Sequence, residues 1–406
     1  MIYAFDDHEL DTDLYELRRG GRRIALEPQV FDVLAYLVAH RDRLVTKAEL
    51  LDNVWGDRFV SESALTSRIK AVRRALGDDG QTQRTIKTVH GRGFRFAADA
   101  REVTGGPASP ARPATSGTSA QEIRFCSIPG DVRLAYAMTG SGPTLVKAAN
   151  WLTHLRHDWE SIVWGHWLRD LSARFRLVHY DARASGMSDW EVDDVSFDAW
   201  VRDLETVVDD VGLERFALLG VSQGGAVALT YAARHPERVS HLILYGAFAQ
   251  GRNSRAKTAR QRKEAAMMLD VIESGWGADS SLFRQMFAAQ FMPEGTLEQW
   301  DAFDGHQRLT ASPGNARRLL SVSASIDVTQ IAPSVRTPTL VLHATDDRRV
   351  PYEQGELLAA LIPGARLVPL QSCNHLLLDG ELAWSKFLAS VDAFVAQDRT
   401  DEAAES

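Results

Sequence analysis

The chain has 406 residues, and its content of 45% hydrophobic and 25% charged residues is typical of globular domains and excludes a fibrous chain. Its formal net charge of −8 excludes a uniformly basic nucleic-acid binder, so any contact with nucleic acid must be local. Two widely separated cysteines exclude a disulfide scaffold and a cysteine zinc cluster, and with no secretory signal or long apolar run we expect a cytoplasmic protein with no membrane span.

The first predicted elements are short antiparallel strands followed by two helices. Residues 3–26 alternate apolar and polar side chains around a turn at residues 18–21. Pro28 then begins a helix with apolar residues at helical spacing, and Thr46 caps a second helix in which Glu49 completes a capping box. These patterns predict a small unit that mixes strands and helices.

A third helix is predicted over residues 61–76, and its two faces differ. Leu65, Ile69, Val72 and Leu76 form one narrow apolar stripe. The opposite face and the flank of the stripe carry hydroxyl and basic side chains, namely Ser63, Thr66, Ser67, Arg68, Lys70, Arg73 and Arg74. Such a face suits the major groove of DNA, where cations hold phosphates and side chains reach base edges, although a solvated surface has the same composition.

A hairpin is predicted over residues 85–96, with Arg92 at its glycine-flanked tip. An arginine in this position beside a basic helix can enter the minor groove or grip phosphate. The local charge agrees, since residues 15–97 hold 16 Lys and Arg against 10 Asp and Glu in a chain that is acidic overall. The electrostatic footprint of a DNA-binding segment is therefore confined to this end of the chain.

Residues 1–97 resemble the OmpR/PhoB-type winged helix-turn-helix domain, which also begins CadC-like and ToxR-like regulators. The matching residues are Glu27-Pro28, Phe31-Asp32-Val33-Leu34, the run from Leu50 to Trp55, Ala75-Leu76-Gly77-Asp78-Asp79, and the segment TVHGRGFRF at 88–96. The resemblance implies a winged helix with recognition helix 61–76, wing 85–96 and DNA as its partner. It also implies self-association, because such regulators bind paired half-sites as dimers.

Two segments of biased composition delimit the rest of the chain. Residues 98–121 are rich in Ala, Gly, Pro, Ser and Thr without apolar periodicity, which is typical of a flexible linker. Residues 397–406 form an acidic stretch that we expect to be disordered. The second domain is therefore expected over residues 122–396.

Within this second domain, the stretch LLGVSQGGAVAL at 218–229 places Ser222 between two glycines where an apolar strand turns into a helix. A serine at such a turn has a strained backbone, and its hydroxyl lies near a helix N-terminus that favours developing negative charge. A turn formed by chance has the same short pattern, so the motif needs partners elsewhere in the chain.

Two later strands supply such partners. One strand is followed by Asp346 and Asp347 and then by Val-Pro, and another is followed by His375. An acid at a strand end can hold a histidine in the tautomer that takes a proton from serine. We therefore expect a hydroxyl, an imidazole and a carboxylate to meet in one hydrogen-bonded row.

The order of these segments, with LVHYDARASGMSDW at 177–190 and HPERV at 235–239, resembles the α/β-hydrolases over residues 122–396. The resemblance implies a mostly parallel sheet with helices on both faces and a Ser222, Asp347, His375 triad, because the acid of the family stands four residues before the proline of Val-Pro. It implies an oxyanion hole formed by the backbone N–H groups of Trp151 and Gln223. The family usually has His-Gly before the first of these donors, whereas this chain has Ala-Asn.

Residues 250–325 interrupt the alternation of strands and helices, and the resemblance implies that they form a helical cap over the site. Methionine and aromatic side chains in this segment favour helix core, and those facing the pocket indicate an apolar acyl or ring-bearing substrate. The histidines and tryptophans of residues 154–167 match no strong metal-ligand spacing, so we assign them to packing or pocket lining and expect no metal and no cofactor.

The sequence therefore predicts a DNA-binding transcriptional regulator whose serine hydrolase domain hydrolyses or senses a small apolar ester, lactone or related acyl compound. One alternative is a catalytically silent ligand receptor. Another is a hydrolase whose winged helix serves protein docking or dimerisation.

Overall fold

The computed structural model describes residues 2–12, 16–20, 22–24, 26, 28–55, 62–78, 82–89, 91–102, 121–276 and 281–396. The chain divides into two compact units, Met1–Thr115 and Ser116–Ser406. Most of the predicted linker (103–120) and all of the predicted tail (397–406) lie outside the described residues. The domain boundaries drawn from the sequence therefore stay predictions.

The first unit combines short strands with helices. Its strands are β1 (Ile2–Phe5), β2 (His8–Asp11), β3 (Glu16–Arg19), β4 (Arg22–Ile24), β5 (Val45–Thr46), β6 (Ile86–Val89), β7 (Gly93–Phe96) and β8 (Arg101–Glu102). Its helices are α1 (Pro28–Ala39), α2 (Lys47–Trp55) and α3 (Glu62–Ala75). The strands form a five-stranded sheet of order β4-β3-β2-β1-β8 and a three-stranded sheet of order β5-β7-β6.

A single apolar core explains why these elements pack together. The stripe predicted for the third helix, represented by Ile69 and Val72, is buried against Leu34 and Leu37 of α1. Thr46 forms the predicted capping box with Glu49 at the start of α2. The predicted hairpin is the antiparallel pair β6 and β7. This unit has the winged-helix arrangement that the sequence predicted.

The second unit is built on one large sheet. Its strands are β9 (Glu122–Ile128), β10 (Val132–Thr139), β11 (Thr144–Lys147), β12 (Arg176–Tyr180), β13 (Phe216–Val221), β14 (Val239–Tyr245), β15 (Thr339–Ala344) and β16 (Arg366–Leu370). They form an eight-stranded sheet of order β16-β15-β14-β13-β11-β12-β10-β9. Strands β11 to β16 are mutually parallel, whereas β9 and β10 form an antiparallel edge. The predicted mostly parallel sheet is confirmed.

Helices cover both faces of this sheet. The described helices of this unit are α4 (Leu155–Glu160), α5 (Gly165–Ser172), α6 (Phe197–Asp210), α7 (Gln223–Arg234), α8 (Ala259–Gly275), α9 (Ser281–Phe291), α10 (Leu297–Thr310), α11 (Pro313–Ser325), α12 (Tyr352–Leu361) and α13 (Leu382–Val395). Helices α6, α7 and α12 pack on one face, and α5 and α13 pack on the other, where Trp167 and Trp384 lie 4.5 Å apart between ring centres. Apolar strand residues are thus shielded on both sides.

Four helices, α8 to α11, lie between β14 and β15 in the segment expected to form the cap. Their N-termini follow the rules of local capping, since Thr258 and Thr296 each form a capping box and Ser312 accepts a hydrogen bond from Asn315 N. Among the described helices, none is both long enough and apolar enough to cross a lipid bilayer.

Candidate active site

Ser222 stands at the sharp turn between β13 and α7. All six residues of β13 are buried, and the backbone of Ser222 then adopts φ 52° and ψ −123°. A non-glycine residue is strained in this conformation and keeps it only when its surroundings enforce it. Part of that enforcement is the hydrogen bond from Ser222 N to Tyr245 O at 2.9 Å, which ties the turn to the end of β14.

The glycines around Ser222 allow close backbone approaches. A Cβ atom on Gly220 would lie 2.5 Å from the Cα of Gly225, so β13 and α7 pack closely only without side chains. A Cβ atom on Gly224 would lie 2.6 Å from Ala149 O. Gly224 therefore lets the start of α7 rest directly on the loop that precedes Trp151.

Asp347 and His375 meet through a hydrogen bond in the interior of the second unit. The distance from His375 Nδ1 to Asp347 Oδ2 is 2.6 Å, and both side chains are fully buried. The other carboxylate oxygen, Oδ1, accepts hydrogen bonds from Arg349 N at 2.8 Å and Val350 N at 2.9 Å. Asp346 is exposed, so of the two adjacent acids it is Asp347 that faces the imidazole.

The surroundings of Asp347 favour its ionised form. Burial by itself would raise the pKa of this carboxyl, but the charge of His375 and the hydrogen bond to it, followed by His343, lower the pKa below its usual value. His343 Nε2 lies 3.7 Å from Asp347 Oδ2 and 2.9 Å from Val350 O. A carboxylate held in this state can fix an imidazole with the proton on Nδ1.

The predicted hydrogen-bonded row of three side chains is only half formed. His375 Nε2 is buried and has no hydrogen-bond partner among the described residues, and no hydrogen bond joins it to Ser222 Oγ. Both residues nevertheless flank the end of β14. Ser222 is tied to Tyr245, and a Cβ atom on the following Gly246 would lie 3.0 Å from His375 Cε1.

The two expected oxyanion donors lie near the turn. Gln223 is the first residue of α7, where a backbone N–H has no acceptor within the helix. Trp151 is buried, and its indole Nε1 donates to Gln307 Oε1 of α10 at 3.1 Å. The indole also contacts Trp276 and Phe287, so its side chain connects the loop to the cap helices.

A pocket of about 560 Å³, including the space open to solvent, lies beside Ser222. Residues of the cap and of the sheet edge line it together, among them Trp151, Gln223, Phe248, Ala265, Met268, Leu269, Phe291, Leu320 and Val350. The apolar lining expected from the methionines and aromatic residues of the cap is therefore present. The lining also includes Arg252, Arg255 and Arg349, which sequence patterns did not identify.

A buried polar network lies behind the oxyanion loop. Lys147 donates a hydrogen bond to Asn150, and burial lowers the pKa of Lys147 while it raises that of Asp158. His306 Nε2 lies 3.0 Å from Leu152 O and 3.1 Å from Asp158 Oδ1. No cluster of metal-ligand residues occurs among the described residues. Sequence reasoning missed this network, because Lys147 and Asn150 lie close together in the chain whereas Asp158 and His306 come from other elements.

The first unit presents the predicted DNA-contacting residues in different ways. Those on the surface are Thr66, Ser67, Lys70 and Arg74 of α3 and Arg92 at the tip of the hairpin. Arg68 is half-buried. The side chain of Ser63 lies outside the described residues.

Arg73 differs from the sequence expectation. Its guanidinium is half-buried and donates to Ile86 O at 2.8 Å and to Thr88 Oγ1 at 2.9 Å, both on β6. The side chain therefore links α3 to β6, and its contact with DNA stays a prediction. Asp78, which sequence reasoning did not assign, acts similarly because its carboxylate accepts hydrogen bonds from three backbone N–H groups of residues 84–86.

Comparison with known proteins agrees with both units. A family model described as alpha/beta hydrolase fold matches residues 154–382, and one described as the C-terminal domain of transcriptional regulatory proteins matches residues 21–96. The chain is 28% identical over 254 residues to pyrrolizixenacetamide deacetylase of Xenorhabdus hominickii, an alignment covering 61% of this chain and 89% of the deacetylase.

Two further relatives each match a different half of the chain. The transcriptional regulator HilA of Salmonella typhi is 39% identical over 94 residues, which cover 23% of this chain and 17% of HilA. The crystal structure of an esterase from Rhodococcus sp. ECU1013 is 26% identical with a TM-score of 0.55, covering 68% of this chain and 98% of the esterase.

Proposed function

We propose a function for this chain, which belongs to the alpha/beta hydrolase fold family and carries a transcriptional-regulator DNA-binding domain. It is a regulator that acts on DNA in the cytoplasm, and its hydrolase domain cleaves or senses a small ester, lactone or related acyl compound with an apolar part. The observation that carries the catalytic half is the buried hydrogen bond between Asp347 and His375. It lies at the carboxyl ends of the parallel strands, where the strained Ser222 also stands.

The proposed reaction is acyl transfer to Ser222 followed by hydrolysis. As Ser222 Oγ bonds to the substrate carbonyl carbon, its proton moves to His375 Nε2, and Asp347 stabilises the resulting imidazolium. The N–H groups of Gln223 and Trp151 hold the oxyanion. Collapse expels the alcohol or enol, which takes the proton from His375, and water then repeats the sequence to release the acid and restore the serine hydroxyl.

Turnover of short-chain nitrophenyl esters tests this proposal. Ser222→Ala should abolish turnover and any burst of nitrophenol, because no other hydroxyl stands at the turn. Asp347→Asn should reduce the rate strongly, while the exposed Asp346→Asn should not. Equal turnover by wild type and Ser222→Ala would show that the hydrolysis occurs elsewhere.

A ligand receptor without turnover is the second candidate, and one observation favours it. His375 Nε2 makes no hydrogen bond to Ser222 Oγ in the described structure, so catalysis requires a rearrangement that brings the two atoms together. A receptor of this kind would bind acyl compounds reversibly, with the same affinity in wild type and Ser222→Ala. Absence of both burst and turnover across several acyl chains would select this alternative.

The DNA half of the proposal is supported by the exposed face of α3 and the exposed Arg92 at the hairpin tip. Cations on such a face release counterions when they bind phosphates, so affinity should fall steeply with salt. A gel shift on DNA from upstream of the coding region, repeated at several salt concentrations, is the test. Absent or salt-insensitive binding would instead favour a winged helix that serves docking or dimerisation.

Regulation requires that the two activities be coupled. If an acyl ligand alters the affinity for DNA, DNA must alter the affinity for that ligand by the same factor. Ligand titrations with and without operator DNA therefore test the sensing role directly. The same titrations at different protein concentrations report the self-association that paired half-sites demand.

A further inference from the structure

Three arginines line the pocket next to Ser222. Arg252 and Arg255 lie in the turn that follows β14, and Arg349 lies in the loop that also carries Asp347. The backbone N–H of Arg349 binds Asp347 Oδ1 at 2.8 Å, so the position of this arginine is tied to that of the acid. Three cations from two separate loops thus converge on one small cavity.

These cations have few protein partners. Arg349 donates to Gln290 Oε1 at 3.3 Å and Arg255 to Gln250 O at 3.1 Å. Among the described residues, no carboxylate lies within ion-pair distance of any of the three guanidinium groups, and Arg252 makes no recorded side-chain hydrogen bond. Each guanidinium has five N–H groups, so most of their donors are left for another partner.

The three arginines also act on one another. Burial and then the charges of Arg252 and Arg255 lower the pKa of Arg349 to about 9. Burial, and then the charge of Arg252, lower the pKa of Arg255 to about 10. The charge of Asp347 acts in the opposite direction on the pKa of Arg255 and Arg349, and that of Glu264 does so for Arg252, but neither carboxylate forms an ion pair with these arginines. Like charges gathered in a partly desolvated space destabilise the fold to the extent that they lack compensation. An anion bound among them would supply that compensation.

Packing explains only part of this arrangement. The guanidinium carbon of Arg349 lies 4.8 Å from the ring centre of Phe291 and 5.6 Å from that of Phe287. Such stacking accounts for one arginine, and beyond the bond to Gln290 it leaves N–H groups on the guanidinium edge that can bind an anion. It does not account for two more arginines in the same cavity.

We propose that this pocket binds the carboxylate of its substrate through Arg252, Arg255 and Arg349. The substrate class is then an acyl compound with two parts, a reactive carbonyl placed at Ser222 and an anionic group held by the arginines. This inference rests on the proposed function for the reactive carbonyl, whereas the anion site itself requires no chemistry.

A matched pair of esters tests the proposal. Mono(4-nitrophenyl) glutarate carries a terminal carboxylate, and 4-nitrophenyl pentanoate has the same number of acyl carbons without it. Charge-assisted hydrogen bonds should give the wild-type protein a preference of about tenfold to hundredfold in kcat/KM for the glutarate ester. Arg252→Gln and Arg349→Gln should each reduce that ratio at least about fivefold. Arg260→Gln, on an exposed arginine of α8, should leave it unchanged.

Glutarate itself provides a readout that needs no turnover. It should raise the melting temperature of the wild-type protein and of Arg260→Gln. It should do so much less for Arg252→Gln, whose side chain makes no hydrogen bond within the described part of the chain. Stabilisation without hydrolysis of either ester would support the anion site and refute the catalytic proposal. Equal hydrolysis of both esters, with no stabilisation by glutarate, would refute the anion site and leave the catalytic proposal standing. Neither hydrolysis nor stabilisation would refute both.

Discussion

Replacing Asp347 by asparagine should invert the tautomer of His375. Oδ1 of Asp347 accepts hydrogen bonds from the backbone N–H groups of Arg349 and Val350, at 2.8 and 2.9 Å. In Asp347→Asn the amide oxygen must keep this position, since an NH₂ group cannot accept those bonds. The NH₂ group then faces His375 Nδ1, which has to become an acceptor. The ring proton moves to Nε2, where it prevents the ring from acting as a base.

The expected loss of kcat is large because the geometry is otherwise conserved. The same substitution in a serine-protease triad, where the wrong tautomer is also imposed, reduces kcat about 10⁴-fold. That factor corresponds to about 5.4 kcal/mol of transition-state stabilisation. The full burial of both side chains argues for a value near this one, because no water reaches the pair to restore the proton.

The assay is steady-state hydrolysis of a nitrophenyl ester from pH 5 to 10, with Ser222→Ala giving the background rate. The matched control is Asp346→Asn, which removes the neighbouring exposed carboxylate and should change kcat less than about twofold. Thermal melting checks that each variant is folded. An Asp347→Asn protein within tenfold of wild type, or an equal loss in Asp346→Asn, would refute the assigned role of Asp347.

Three further predictions concern the fold, the DNA face and the oxyanion loop. Arg183→Met breaks a fully buried ion pair with Asp203 and a partly buried one with Asp131, so it should cost about 3–5 kcal/mol and lower the melting temperature on the order of 10 °C. Arg202→Met breaks an exposed ion pair with Asp194 and should cost less than about 1 kcal/mol. Equal melting temperatures for the two variants would contradict this reasoning. Arg74→Ala should reduce the slope of log affinity for DNA against log salt by about one unit, as measured by fluorescence anisotropy, and an unchanged slope would remove this residue from the interface. Gly224→Ala places a Cβ atom 2.6 Å from the carbonyl of Ala149 and should lower kcat about 10²-fold by displacing the oxyanion donor. Gly305→Ala, whose Cβ atom would meet nothing within 4 Å, should leave kcat unchanged. Similar kinetics for both variants would show that the loop accommodates the Cβ atom without moving the donor.

Much of the candidate site could be predicted from short stretches of sequence. The glycines around Ser222 and the apolar run before it define a strand, a turn and a helix, because each depends on neighbouring residues. The choice of Asp347 over Asp346 came from resemblance to a family, since both acids follow the same strand. In the structure Asp347 is buried against His375 and Asp346 is exposed.

The first unit shows where such reasoning stops. The apolar stripe of α3 correctly indicated which side of that helix is buried. The same periodicity assigned Arg73 to the DNA face, yet its long side chain reaches β6 and donates hydrogen bonds to the Ile86 carbonyl and the Thr88 hydroxyl. A helical wheel gives the direction of a Cβ atom, but it does not give the partner that a flexible side chain finds.

The sequence by itself determined the nature and order of the elements, the nucleophile turn and the acidic and basic character of each segment, because these depend on residues close together in the chain. Tertiary structure alone decided that three arginines from two loops share one cavity with Ser222. It also decided that His375 Nε2 makes no hydrogen bond to the hydroxyl of Ser222. Those outcomes depend on how the loops at the carboxyl ends of the strands pack against the cap helices. Packing sets distances between residues that no local pattern connects.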